Sequence, residues 1–140
     1  MCGGVSYKDN GEHIKVYFPV PHAALPVLRK DRATHRIIWG RRREEKNHFP
    51  AGGWARRESI LRGVWDDYRP VPVKIAVDAF MEKDADRVSH WFDLAPGQYV
   101  QGLLAKQGTE ERVYVVTIEP EDRSIHDRWP RIVQDAVPKR

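Results

Sequence analysis

Apolar and polar positions alternate over residues 13–20, HIKVYFPV, where Ile14, Val16 and Phe18 recur at every second place. That period belongs to a half-buried β-strand. The following PHAALPVLRKDRAT carries Pro21 and Pro26, each without a backbone donor, and predicts a loop or a short helix. HRIIW (35–39) returns to strand character and runs into Gly40. Charge, Pro50 and the glycine pair in GRRREEKNHFPAGG then predict an exposed loop.

From Trp54 to Trp65 the pattern changes to helical spacing, with Ile60, Leu61, Val64 and Trp65 on one side and the arginines on another. Beyond DDYRPVP, four β-rich runs follow: VKIAVDAFME, SHWFDL, YVQGLLAK and RVYVVTI, separated by turn signals such as APGQ and KQGTEE. Consecutive strands with short turns predict an antiparallel sheet. The tail IHDRWPRIVQDAV reads as a loop entering a short helix, with Pro130 in its first turn. The fold class expected is α+β, a curved, barrel-like and mostly antiparallel sheet with a few short helices. Residues 1–140 make a single domain of ordinary size, without repeats or a linker.

Hydrophobic residues make up 41% of the chain, no apolar run has the length of a membrane span, and the start lacks the regions of a secretory signal. These features predict a cytoplasmic monomer with no membrane partner. The net charge of +4 gathers in GRRREEK and GGWARRES, a balance that permits a polyanion partner without requiring one. His13, His22, His35, His48 and His90 show no metal-site spacing, and no glycine-rich phosphate loop is present. No metal and no nucleotide cofactor is implied.

The one cysteine is Cys2, directly behind Met1. Methionine aminopeptidases remove Met1 when the second residue is small, which leaves a cysteine with a free amine two bonds from its thiol. Reference pKa values of about 7.7–8 for the amine and about 8.5 for the thiol make both groups available near neutrality. An aldehyde condenses with such an amine to an imine, and the sulfur closes on the imine carbon to give a thiazolidine. An internal cysteine, whose nitrogen is an amide, cannot do this. Gly3 and Gly4 allow close backbone packing behind it.

Four further segments carry a resemblance, in order along the chain: IIWG, WARRES, VKIAVDAFMEK with YVQGLLAK, and VYVVTIEPEDRSIHDRWP. With the opening MCGGVSY, the chain resembles the SOS response-associated peptidase (SRAP) family, whose members shield abasic sites in single-stranded DNA by covalent attachment. The resemblance covers nearly the whole length. It implies that Cys2 is the nucleophile, that Glu82 is an active-site carboxylate and that His126 moves protons as the sugar opens and the hemiaminal loses water. It further implies DNA contacts by Arg56 and Arg128 to phosphate and by Trp39 to an unpaired base.

The sequence departs from the family where Trp54 stands in place of an asparagine beside the cysteine, and at Ala79, Lys83 and Ile118. Asn47 would replace that asparagine only if its loop folded back. Each residue also has an ordinary reading: Trp39 as core, Arg56 or Arg128 as partner of Glu58 or Asp127, Glu82 as a strand-end carboxylate and His126 as a loop histidine. The function implied is abasic-site crosslinking in the DNA damage response, with possible β-elimination through the imine and, in a bacterium or phage, association with the nucleoid. A cysteine-dependent peptidase with His126 as base and a DNA-binding module without chemistry are the alternatives.

Overall fold

The computed structural model describes residues 2–120 and 128–135, and these are mostly β with few helical residues. β1 (Cys2–Asp9) and β2 (Glu12–Tyr17) form a hairpin in which Asp9 faces Glu12. Its two-residue turn is Asn10-Gly11, with φ of 50° and 80°, the pair that a right-twisted two-residue hairpin favours. β3 (Ala24–Leu28) and β4 (Thr34–Ile38) form the second hairpin. A short β5 (Trp54–Arg56) leads into α1 (Arg57–Leu61) and a 3-10 turn at Asp66–Tyr68. β6 (Val71–Ile75), β7 (Ala79–Lys83), β8 (Ser89–Asp93), β9 (Gln98–Gln107) and β10 (Glu110–Ile118) follow, then β11 (Trp129–Pro130) and β12 (Ile132–Gln134).

Among the described residues these strands make two sheets. One has the order β2-β1-β7-β8; the other runs β11-β10-β9-β6-β3-β4, with β12 added to β9 and β5 to β10. Neither order closes on itself, so no closed barrel is present among the described residues. Pairing between strands is antiparallel except for β5 on β10.

The main core lies between the sheets. Val5, Tyr7 and Phe80 of the smaller sheet meet Leu25, Val27, Ile75, Val100, Val113 and Val115 of the larger one. Each such side chain contributes about 1.5–3 kcal/mol on full burial. A second cluster, with Ala55, Trp65, Leu103, Tyr114 and Val116, covers the opposite face of β9 and β10. β10 is therefore buried on both faces, which explains why VYVV has no alternation.

Several local expectations are corrected. Residues 24–28 form a strand despite Pro26: its carbonyl points away from the β3–β4 ladder to accept from Ala76, so the absent N–H falls on that side and costs no ladder bond. The helix expected over Trp54–Trp65 shrinks to α1, because Trp54–Arg56 pairs in parallel with Val115–Thr117. Leu61 and Val64 stay exposed, and Gly63 turns at φ +81°. Ile60 and Trp65 pack on the second cluster, but with Leu61 and Val64 left outside it half of the expected apolar side has nothing to extend the helix.

The run VKIAVDAFME is not one strand. It crosses between sheets at Ala76–Asp78, where the Asp78 amide donates to Ser6. The tail beyond Arg128 forms β11 and β12, not a helix, as its residues take up open ladder positions on β10 and β9.

The loop of residues 40–53 is also not simply exposed. Arg42 is buried and donates to the carbonyls of Phe18 and Trp39, while Arg41 donates to those of Phe49 and Glu45. Glu45 accepts from Arg112 and Arg42. Burial pushes the Glu45 carboxyl up, but these guanidiniums and the Arg42 amide outweigh it and bring it down to about 2. Much of the arginine cluster thus holds the loop rather than facing solvent.

Candidate active site on the first strand

β1 is an interior strand, hydrogen-bonded to β2 on one side and β7 on the other. Its first residue, Cys2, is in register with Glu82, while Gly4 is in register with Met81; Gly3 is the extra residue of a bulge between them. Gly4 has a packing reason: a Cβ there would meet the Tyr17 ring at 3.0 Å. The register continues one strand further, where Glu82 faces His90 of β8. Cys2, Glu82 and His90 therefore stand in one row across three adjacent strands.

Glu82 is completely buried, at 0% exposure. Burial pushes its carboxyl above the usual carboxylate range, and the positive charge of the chain terminus opposes that shift without cancelling it. A carboxyl so placed holds its proton more tightly than one in water. Immediately before this row on β7 and β8, Phe80 faces Phe92, and Trp129 packs edge-on against both at 4.9 and 4.8 Å. An aromatic cluster thus occupies the neighbouring paired position on these two strands.

His90 is half-buried, and its Nε2 lies 2.7 Å from Oδ2 of Asp84. That hydrogen bond is the main reason the Asp84 carboxyl is held below its ordinary value; the Val88 amide adds to it. Reading for metal-ligand spacing passed over His90, because only strand register brings it to Glu82. His126 lies outside the described residues, so its position relative to Cys2 and Glu82 is not part of this geometry; the chain resumes at Arg128.

The three residues expected to touch DNA have different fates. Trp39 is fully buried, donates its indole N–H to the Gly53 carbonyl at 2.8 Å, and packs against Phe18 and Trp54. It has no open face for a base, so its expected stacking role is corrected to a core role. Arg128 is buried too. It donates to both Glu58 oxygens at 2.9 and 3.1 Å and to the Thr117 carbonyl at 2.7 Å. The ordinary reading of Arg128 as the partner of Glu58 is the one realised, and its expected phosphate contact gives way to a structural clamp joining α1 to β10. Arg56, at the end of β5, is exposed and faces solvent.

Trp54, where the resemblance has an asparagine, lies 4.9 Å from Phe18 between ring centroids. Phe18 in turn donates its amide to the Gly3 carbonyl, which ties this aromatic group to the start of β1. Asn47 does not replace the asparagine: its side chain accepts from the Phe49 amide and donates to Glu45 within its own loop. Among the described residues, no group of three or more histidine, cysteine or acidic side chains could hold a metal ion. No helix among them is long and apolar enough to cross a membrane. Comparison of the chain with family models, with curated proteins and with solved structures finds no match.

Proposed function

We propose that this protein binds single-stranded DNA and joins Cys2 covalently to the ring-opened sugar of abasic sites, in the manner of the SRAP family. The observation that carries this reading is the register of Cys2 with the buried Glu82. Once Met1 is removed, the free amine belongs to Cys2, and the acid in register with it is a carboxyl raised by burial. The amine attacks the aldehyde carbon, Glu82 supplies the proton with which the carbinolamine hydroxyl leaves as water, and the thiol adds to the imine carbon. The thiol proton is released in that last step, so the sum is aldehyde plus aminothiol giving thiazolidine plus one water.

Two more features support the reading. The described residues are mostly antiparallel β-structure in two sheets that share one core, the coarse class expected of the family. Arg56 offers an exposed guanidinium beside the aromatic group that reaches Gly3. The resemblance gives His126 the task of moving protons as the sugar ring opens.

The test is a uracil-containing single strand treated with a glycosylase and mixed with protein whose intact mass shows Met1 removed. A heat-stable conjugate is expected with the wild type and none with Cys2→Ala. Lack of a wild-type conjugate, or undiminished conjugation by the variant, overturns the reading.

A further inference from the structure

We infer that His90, held by Asp84, is the proton relay between the buried Glu82 and solvent. The inference rests on the crosslinking reading of the Cys2 site and adds a residue that the resemblance does not assign. Glu82 is wholly removed from solvent, yet it must exchange a proton with its surroundings to serve in the condensation. A neighbour that is itself both near the carboxyl and open to water has to carry it. His90 faces Glu82 directly across β7 and β8, and side chains at such paired positions start from Cβ atoms about 4.5–5.5 Å apart on one face of the sheet.

The exposure of the imidazole fits the task. His90 keeps 41% of its side chain in solvent, whereas Glu82 has none. Its Nε2 is engaged by Asp84 at 2.7 Å, which fixes the ring and leaves Nδ1 as the nitrogen for exchange. Asp84 is itself held in place: its Oδ1 accepts from the amides of Asp86 and Val88, both at 2.9 Å. The arrangement is carboxylate, imidazole, carboxyl, from the β7–β8 turn inward. In the relay, protonated His90 passes a proton to Glu82 after the carbinolamine has taken one, and the proton that the thiol releases to solvent restores the one on His90. No proton is gained or lost over the cycle. His90 is a positioning and relay residue, and Glu82 remains the group that meets the reacting atoms.

The experiment measures the rate of conjugate formation with the abasic strand for wild type, His90→Ala, His90→Gln and Asp84→Asn. Thermal melting identifies the folded His90 variant, which is then used. Loss of the relay is expected to slow conjugation about tenfold or more, with a smaller loss for Asp84→Asn, and imidazole added to the buffer is expected to restore much of the His90→Ala rate. A wild-type rate in the folded His90 variant overturns the relay alone, and so does a slow rate that imidazole leaves unchanged, since that marks a merely structural role. Absence of any conjugate with the wild type overturns the reading of the Cys2 site and the relay with it.

Discussion

The indole nitrogen of Trp39 donates to the carbonyl of Gly53 at 2.8 Å, and the two residues are so close that a Cβ on Gly53 would lie 2.6 Å from that nitrogen. Trp39→Ala is therefore expected to cost about 3–5 kcal/mol, as for other large buried aromatics. Trp39→Phe loses mainly the hydrogen bond, about 1 kcal/mol. Denaturant titration reads both. Single-strand affinity of folded Trp39→Phe should equal that of the wild type, and a drop in affinity without a drop in stability would return Trp39 to the DNA surface.

Arg56 and Arg128 should separate cleanly. Arg128→Ala leaves the Thr117 carbonyl and Glu58 without their donor, an expected cost of about 1–3 kcal/mol in stability. Arg56→Ala should change stability by no more than about 0.5 kcal/mol. Its effect belongs in binding: the slope of log affinity against log salt for a single strand should fall by about one phosphate contact. An unchanged slope removes Arg56 from the interface.

Glu82 gives stability a specific pH dependence. Its folded pKa is raised by burial from an ordinary 4.5, so its contribution is complete below that value and is lost as pH rises through the raised folded one. Glu82→Gln never ionises. The melting temperature of Glu82→Gln relative to wild type should therefore increase from pH 4 to pH 8, while conjugation is slowed. A difference that stays flat with pH would show that the carboxyl titrates alike in the folded and unfolded chain.

Glu45 works in the other direction. Its carboxyl is held at about 2 against an ordinary 4.5, so its contribution is complete above 4.5 and is lost as pH falls toward 2. Wild type should lose stability across that window more steeply than Glu45→Gln. Melting curves between pH 5 and pH 2 check this, and parallel curves would contradict it.

What was legible in the sequence depended on how far apart the causes lie along the chain. Ile14 and Val16 alternate because one face of β2 is solvated, so that part of the strand is legible locally, although β2 ends at Tyr17, before Phe18. The helix over Trp54–Trp65 failed because the strand partner of Trp54–Arg56 is β10, far along the chain, and no local pattern announces a parallel pairing. The tail failed for a similar reason: β11 and β12 complete a sheet already built.

At the site, Cys2 and Glu82 were found through a resemblance in short motifs, and strand register then brought them opposite each other. His90 carried no motif at all. The arginines of GRRREEK read as charge open to a polyanion or to solvent, whereas Arg42, like Arg112 and Arg128, uses its donors on backbone carbonyls. Charge counting has no means of telling a solvated guanidinium from one satisfied inside.

Of the strands described, β1 leaves the ribosome first, and β2 joins it at once through the Asn10-Gly11 turn. Its other neighbour, β7, comes about 70 residues later, a delay of about 4–14 s at ordinary rates of synthesis. During that interval one edge of the hairpin has bare amides and carbonyls, open to any passing strand. Nascent chains stalled before β7 should thus be the aggregation-prone ones, and the row of Cys2 and Glu82 takes shape only once β7 has been made.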